Sequence, residues 1–177
     1  MSRFRRANDG ATFFFTVVSY RRRPILCDDA IRTALRDAIQ SVRLTRPFII
    51  DGWVLLPDHL HCIWTLPPDD VDFSQRWSHI KHRVSHACGQ RYRMHASDAA
   101  IRRGEATIWQ SRFWEHRIRD EVDMQRHMDY LHFNPVKHGH AAMASEWPYS
   151  TFGRYVKAGI YAAVWGGRAD IEGMDIE

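Results

Sequence analysis

The chain has 177 residues, of which 45% are hydrophobic, and its 25 Lys and Arg exceed its 21 Asp and Glu by 4. This size and apolar content suit one compact domain with a sizeable core and argue against a second domain, while the positive balance favours a polyanionic partner. The 3 cysteines lack paired spacing, which argues against a disulfide framework and a thiolate zinc site and fits a reducing cytoplasm, and no apolar segment is long enough to span a membrane.

Near the start of the chain, residues 11–20 combine β-branched and aromatic side chains, which predicts a buried strand. After a run of arginines, Pro24 turns the backbone. Asp28 or Asp29 can then cap a helix that runs to about residue 42, because apolar side chains recur there at a spacing of four. The chain therefore begins with a strand followed by an amphipathic helix.

The next two apolar runs, residues 48–56 and about 59–66, predict a pair of antiparallel strands. Pro57 and Asp58 between them are typical of a tight turn, so the two strands should form a hairpin. Side chains two residues apart in a strand project from the same face. One face of the second strand therefore carries His59, His61 and Ile63.

A second helix is predicted from about residue 73 to residue 88, followed by a mobile loop over residues 89–107, where glycine, serine and arginine mix without periodicity. The helix should pack one apolar stripe against the core and present a basic side to solvent. The stripe consists of Phe73, Trp77, Ile80, Val84 and Ala87.

Extended character resumes over residues 113–118, and Asp120 then predicts the cap of a third helix. This helix should end at about Asn134, because Pro135 lacks a backbone N–H and would clash with the preceding turn. The segment that follows is rich in aromatic residues and should pack back on the body of the protein.

The predicted order of elements is strand, helix, strand, strand, helix, strand, helix. This order favours an α+β fold, a ferredoxin-like antiparallel β-sheet with helices packed on one face. Residues 1–166 are expected to form this single domain. The last residues, 167–177, are acidic and are expected to form a disordered tail.

His59 and His61 are candidate metal ligands, because two imidazoles on one face of a strand can reach the same divalent ion. A His-x-His pair by itself is often a surface or structural feature. Here it follows a Pro-Asp turn, and no third His or Cys stands at the spacing of a structural zinc site. Two imidazoles would leave open positions on the ion for phosphate oxygens and water, which favours a catalytic metal.

Tyr130 is the candidate nucleophile. Together with Asp123, His127 and Asn134 it forms a polar stripe along the third predicted helix. Taken alone, Tyr130 is better explained as a packing residue. Beside an open metal site, however, the helix can aim the phenol at a bound phosphate, and Asn134 can complete the metal coordination or orient a water. Attack by Tyr130 would displace the 3′ oxygen and leave the 5′ phosphate on the enzyme.

Basic residues around this site predict a surface for DNA strands, although each of them alone is also compatible with an ordinary solvated face. The candidate DNA-binding residues are Arg21, Arg22, Arg76, His79, Arg83, Arg112 and Lys137. Trp109, Phe113 and Trp114 can stack on unpaired bases, but core packing is expected for at least two of these three aromatic residues.

Three segments resemble the REP-associated tyrosine transposases, relatives of the single-tyrosine HUH transposases of bacterial insertion sequences. They are residues 56–64 (LPDHLHCIW), 108–116 (IWQSRFWEH) and 129–139 (DYLHFNPVKHG). The resemblance extends over about residues 10–166. It is specific because three motifs occur in the expected order.

The resemblance implies that His59 and His61 are the HUH metal ligands, that Tyr130 is the nucleophile, and that Asn134 is the third polar residue of the metal site. It also implies a ferredoxin-like catalytic domain and Mg²⁺ or Mn²⁺ as the cofactor, with no small-molecule cofactor. The expected substrate is single-stranded DNA with palindromic hairpins, from repetitive extragenic palindromes. Such a protein would act as a monomer or homodimer in the bacterial cytoplasm, associated with the nucleoid.

Two other functions stay open at this stage. One is a protein that binds DNA hairpins without catalytic activity and never forms a covalent adduct. The other is a zinc hydrolase that uses His59, His61 and one of His132 or His138, and that would not need Tyr130.

Overall fold

The computed structural model describes residue 4 and residues 10–92, 97–102 and 108–167. A four-stranded antiparallel sheet forms its centre. The strands are β1 (Thr12–Val18), β2 (Ile49–Leu55), β3 (His59–Thr65) and β4 (Trp114–Arg117). Their order across the sheet is β2-β3-β1-β4, so β2 and β3 form the predicted hairpin and β1 lies beside β3.

The described residues form five α-helices and two short 3₁₀ helices. The α-helices are α1 (Asp29–Thr45), α2 (Phe73–Tyr92), α3 (Asp98–Arg102), α4 (Glu121–Lys137) and α5 (Phe152–Lys157). The 3₁₀ helices span Tyr20–Arg22 and Ala144–Glu146. Among the helices described, none is both long and apolar enough to cross a membrane.

Each face of the sheet has its own hydrophobic core. Along β1 the side chains alternate, so that Phe13 and Phe15 pack with α1 and α2, whereas Phe14 packs with α4 on the opposite face. On the first face Trp64 and Trp77 stack with their ring centroids 4.3 Å apart. The sheet is therefore buried on both faces, and α4 covers the face that carries the two histidines of β3.

The α+β, ferredoxin-like fold class is confirmed by the antiparallel sheet and its helices. The sequence indicated helices on one face, and α1 and α2 do share a face. The structure adds α4 on the other face, because Phe14, Val54 and Ile63 make that face apolar as well. This second layer is what brings Tyr130 over the sheet.

Helix α4 does not end at Asn134, as the sequence predicted, but continues through Pro135 to Lys137. The proline lies in the last helical turn. Because it has no backbone N–H, the helix lacks one hydrogen bond there. The carbonyl of Pro135 accepts a hydrogen bond from the backbone N–H of His140 at 2.8 Å, so this carbonyl at the end of the helix has a partner. A proline near a helix C-terminus is therefore tolerated here.

Helix α2 is longer than predicted, because Tyr92 is buried and adds one more turn of packing. Its hydroxyl donates to the carboxylate of Asp28 at 2.8 Å. Near this end Cys88 faces the core, whereas the predicted Ala87 is exposed. The predicted loop 89–107 thus contains the end of α2 and all of α3. Its residues 93–96 and 103–107 lie outside the described residues, as does the predicted tail apart from residue 167.

The segment after α4 packs back on the body, as the sequence predicted. Ser150 forms an antiparallel bridge with Val54 of β2, and the backbone N–H of Leu55 donates to the carbonyl of Tyr149 at 2.9 Å. Phe152 is buried in the core beneath α4. This segment therefore covers part of the edge of β2 and lies opposite α1.

Candidate active site

His59 and His61 lie on the face of β3 that α4 covers. They are 4% and 1% exposed, and their ring centroids are 4.9 Å apart. Leu60, between them, points into the core on the opposite face. The strand therefore holds both imidazoles side by side in a buried environment, as the i and i+2 spacing predicts.

Neighbouring side chains fix one ring nitrogen of each histidine. His59 Nδ1 donates to Asp58 Oδ1 at 2.7 Å. Burial raises the pKa of Asp58, but hydrogen bonds from His59 and Arg22 outweigh it and hold that pKa below its usual range. Since an ionised carboxylate only accepts, His59 Nε2 keeps its lone pair in the neutral ring. His61 Nδ1 forms a hydrogen bond with Thr16 Oγ1 at 2.8 Å. The Nε2 atom of His61, on the other side of the ring, therefore points away from Thr16.

Asn134 of α4 reaches the histidines from above the sheet. Its side chain is fully buried, and its Oδ1 lies 3.3 Å from His59 Nε2. In the described part of the chain, His61 Nε2 and Asn134 Nδ2 are buried without a hydrogen-bond partner. Such unpaired polar atoms are costly, about 1–3 kcal/mol each, and are typical of a site that a ligand completes. Two imidazole nitrogens and an amide oxygen fit a divalent ion with open positions.

The environment of His61 favours the form that binds a metal. Burial lowers the pKa of His61 well below its usual value, and the nearby His59, His138 and Lys137 act in the same direction. Metal ions bind the neutral imidazole and not the protonated ring. At neutral pH the site therefore holds His61 ready as a ligand.

Tyr130 lies one helical turn before Asn134 on the same side of α4 and is 2% exposed. Its ring centroid is 5.3 Å from that of His61 and 6.1 Å from that of Phe14. The Nζ atom of Lys137 lies 5.0 Å from the centre of the phenol ring. The phenol is therefore adjacent to the candidate metal ligands and to a cation that can attract a phosphate.

Four of the predicted DNA-binding residues lie on this side of the molecule or on segments that lead to it. Lys137 contacts the ring of Tyr130, and Arg22 donates to the carboxylate of Asp58 at 3.3 Å. The other two, Arg21 and Arg112, are exposed. Arg21 is next to Arg22 in the 3₁₀ helix after β1, and Arg112 precedes β4.

The predicted DNA-binding residues of α2 are not brought to Tyr130. His79 and Arg83 are exposed on a helix that packs against the opposite face of the sheet. Arg76 is only 2% exposed, and its guanidinium pairs with Asp70 at 2.7 Å and donates to the carbonyl of Pro47 at 2.9 Å. Arg76 therefore joins two segments of the fold, and this burial does not support its assignment to a DNA surface.

Of the three aromatic residues before and within β4, two pack in the core and one is exposed. Trp109 is 3% exposed, and Phe113 packs against the core of α1 and α2. Trp114 is 45% exposed and pairs in register with Thr16, so it lies on the same face of the sheet as His61. The expectation that at least two of the three pack in the core is confirmed.

A second group of potential metal ligands lies at the start of α4. His116, Asp123 and His127 each place one donor atom within 4.8 Å of the others, and no other group of three His, Cys, Asp or Glu does so within the described ranges. The carboxylate of Asp123 is already engaged, because it accepts from His116 Nε2 at 2.9 Å and from the backbone of Arg119 at 3.0 Å. His116 lies on β4, outside the helix that carries Asp123 and His127, so no local sequence pattern links it with them.

The three-histidine arrangement of a zinc hydrolase finds no support. His132 is turned away from the site, with its Nε2 2.9 Å from Thr151 Oγ1. The ring of His138 lies 5.1 Å from that of His59, but these residues and His61 do not form a close group of donors among the residues described.

Sequence reasoning missed two supporting residues, Asp58 and Thr16. A signal for Asp58 was present, because it directly precedes His59 in the Pro-Asp turn. Thr16 had no local signal, because it contacts His61 across the register of two strands, 45 residues away in the chain.

The chain is similar to several known proteins. The family model described as "Transposase IS200 like" matches residues 10–134. A REP-associated tyrosine transposase from Escherichia coli is 46% identical over 168 residues, which cover 94% of this chain and 92% of the relative. A relative from Haemophilus influenzae is 38% identical over 173 residues, 97% of each chain. A solved structure of a REP-associated tyrosine transposase bound to a REP hairpin superimposes with a TM-score of 0.76 at 44% identity, over 100% of this chain and 98% of the other.

Proposed function

The chain belongs to the IS200-like transposase family and, within it, to the REP-associated tyrosine transposases, and we propose that it cleaves and rejoins single-stranded DNA with Tyr130 as the nucleophile. A relative of the same fold is bound to a REP hairpin, which supports palindromic hairpins of single-stranded DNA as the substrate. The proposed activity is therefore strand transfer at a hairpin.

In the proposed reaction, Oη of Tyr130 attacks a phosphorus atom of the DNA backbone. A bond forms between Oη and phosphorus, and the bond from phosphorus to the 3′ oxygen breaks. The phenol loses its proton and the 3′ oxygen gains one, so the step is balanced. The 5′ phosphate stays on the tyrosine as a diester, and attack by a 3′ hydroxyl on that diester rejoins a strand.

His59, His61 and Asn134 are the proposed ligands of Mg²⁺ or Mn²⁺. When bound, a divalent ion draws charge from the non-bridging phosphate oxygens and makes the phosphorus more electrophilic. The chain itself holds the ligands in place, because Asp58 and Thr16 fix the orientation of the two imidazole rings.

Basic residues near the phenol are proposed to position the DNA backbone. Lys137 lies at the ring of Tyr130 and can pair with the phosphate under attack. Arg21 and Arg112 are exposed on neighbouring segments and can contact phosphates farther along the strand.

One observation carries this proposal. The ring of Tyr130 lies 5.3 Å from that of His61, in a buried site where His61 Nε2 and Asn134 Nδ2 lack partners within the described residues. A tyrosine that served only the core would not need two unpaired polar groups beside it, because such groups destabilise the fold.

The proposal is tested by incubating the protein with labelled hairpin oligonucleotides that carry single-stranded flanks, with Mg²⁺ or Mn²⁺, and separating the products on a denaturing gel. We expect a metal-dependent protein–DNA band that survives denaturation, is absent from Tyr130→Phe, and is retained by the control Tyr20→Phe. A band that persists in Tyr130→Phe would contradict the assignment of the nucleophile. Tight hairpin binding without any such band would favour a binding protein without catalytic activity.

The metal site is tested separately by calorimetric titration with Mn²⁺. We expect His59→Ala and Asn134→Ala each to weaken binding by about tenfold or more, as loss of a ligand or of its close support does. His116→Ala provides the matched control, because it removes a histidine of the second group at the start of α4. Loss of binding in His116→Ala alone would place the ion at that group instead.

A further inference from the structure

A groove of about 620 Å³ lies between α1 and the segment after α4, along the edge strand β2. This volume falls within the range of pockets that hold small organic ligands, roughly 300–1,000 Å³. Four of the residues that line the groove are arginine, and none is acidic. The arginines are Arg32, Arg36, Arg43 and Arg154.

The arginines occupy both walls of the groove. Arg32, Arg36 and Arg43 follow one side of α1 over about 16 Å, at 1.5 Å per residue. On the other wall, Arg154 donates to the carbonyl of Ile50 at 3.3 Å and to that of Asp51. A groove with arginines on two walls and no acidic lining residue favours a polyanionic ligand, although Arg32 also pairs with Asp29 outside the lining.

A row of rings connects the active site with this groove. The ring of His138 is 5.1 Å from that of His59, and the ring of His140 is 6.3 Å from that of His138. Trp147 follows at 5.5 Å from His140, and Tyr149, which lines the groove, lies 5.6 Å from Trp147. We call His138, His140, Trp147 and Tyr149 the ring track.

The ring track is anchored to the body but accessible. His138 and His140 are exposed, and Trp147 and Tyr149 are half-buried. The indole N–H of Trp147 donates to the carbonyl of Leu55 at 2.9 Å. The guanidinium of Arg32 lies 4.6 Å from the centre of the Tyr149 ring, which joins the end of the track to the arginines of α1.

We propose that the ring track and the arginine groove together bind the single-stranded DNA that flanks the cleaved phosphate. This inference rests on the proposed function, because it assigns a path to the substrate of that site. Unpaired bases stack on the rings without sequence preference, and their phosphates pair with the arginines. In a duplex the base faces are stacked on one another, so only unpaired nucleotides can use the track.

The test compares a DNA hairpin alone with the same hairpin carrying a single-stranded extension on its 5′ or its 3′ side. Dissociation constants are measured by fluorescence anisotropy over a range of salt concentrations. We expect one of the two extensions to tighten binding by the wild-type protein. Tyr149→Ala should reduce that gain by about tenfold, the order expected when one base no longer stacks, while Tyr149→Phe should retain it.

Arg36→Ala gives a second readout that a change in folding would not produce. The slope of log K against log salt is negative, and removing one arginine from a phosphate of a single strand decreases its magnitude by about 0.7. We expect that decrease for the extended hairpin and no change for the hairpin alone. Arg117→Ala is the matched control, because Arg117 is an exposed arginine on β4, at the opposite edge of the sheet.

The outcomes separate this inference from the proposed function. If neither extension tightens binding, or if Arg117→Ala changes the salt slope as much as Arg36→Ala, the path along the ring track is overturned. Adduct formation by Tyr130 would then still stand. If extension-dependent binding is intact and no adduct forms, the track is supported and the catalytic proposal fails.

Discussion

Arg22, Asp58 and His59 form a continuous hydrogen-bonded chain: His59 Nδ1 donates to one carboxylate oxygen of Asp58 at 2.7 Å, and Arg22 donates to the other at 3.3 Å. The residue before the first histidine therefore orients its ring. A carboxylate behind a metal-binding imidazole also raises the basicity of the nitrogen that faces the ion.

We predict that Asp58→Ala weakens Mn²⁺ binding by about 10–100-fold, which is the usual effect of removing such a support. Asp58→Asn should have a smaller effect, because the amide oxygen can still accept from His59 while the negative charge is removed. Calorimetric titration measures both variants, with the exposed Asp37→Ala as the control for the missing negative charge. Unchanged affinity in Asp58→Ala would show that the ring is held by other contacts.

Lys137 provides the second prediction, because its Nζ lies 5.0 Å from the centre of the Tyr130 ring. The ammonium can stabilise negative charge that develops on the phenol oxygen and the phosphate during attack. We expect Lys137→Ala to slow adduct formation in the bound complex by about tenfold, and Lys137→Arg to retain most of the rate. Single-turnover kinetics at saturating DNA measure this effect. A normal single-turnover rate with weaker DNA binding would restrict Lys137 to ground-state contacts.

Much of the candidate site was predictable because it depends on local geometry. His59 and His61 share a face because side chains alternate along any strand, and Tyr130 and Asn134 share one because a helix repeats every 3.6 residues. Which strands and helices meet depends on packing between distant segments. The sequence therefore identified the residues on each element, while the fold determined that α4 covers β3.

Gly52 of β2 shows how closely α4 approaches the sheet. A Cβ atom at this position would lie 2.8 Å from Met128 Sδ and 3.2 Å from Leu131 Cδ1. We predict that Gly52→Ala lowers the free energy of unfolding by about 1–3 kcal/mol, the usual effect of overpacking a core. Urea denaturation measures this decrease. Gly153→Ala is the control, because its added Cβ would meet nothing within 4 Å.

The clash at Gly52 can be assigned by a double-mutant cycle. Met128→Ala removes the sulfur that the new methyl group would contact, so the effects of Gly52→Ala and Met128→Ala should not add. Additive effects would place the cost elsewhere, in the irregular pairing of β2 with β3 next to Gly52.

At Arg76 and Pro135 the local sequence pattern predicts the wrong structure. A basic residue on an amphipathic helix is usually exposed, but Arg76 is buried because the carboxylate of Asp70 and backbone carbonyls surround its guanidinium. Pro135 usually ends a helix, yet here it falls in the last turn. In both cases the outcome depends on partners outside the local pattern.

His132 gives a prediction about pH. Its ring is buried between α4 and the C-terminal segment, with its Nε2 2.9 Å from Thr151 Oγ1. Burial lowers the pKa of His132 from 6.5 to about 3, with a smaller contribution from Arg154. The unfolded chain therefore takes up a proton at a higher pH than the folded protein does. The contribution of His132 to stability is complete above the unfolded pKa and decreases as the pH falls from there toward the folded value.

We expect this single group to lower the free energy of unfolding by about 2 kcal/mol between about pH 7 and about pH 5, since each unit of pH between the two pKa values changes it by about 1.4 kcal/mol. Urea denaturation at both pH values measures the change in wild type and in His132→Gln, which has no titratable ring. His132→Gln should lose less stability on acidification by about that amount, whereas the exposed His79→Gln should follow wild type. Equal acid sensitivity in His132→Gln and wild type would mean that other buried histidines, His61 and His127, account for the proton uptake, because burial lowers the pKa of both.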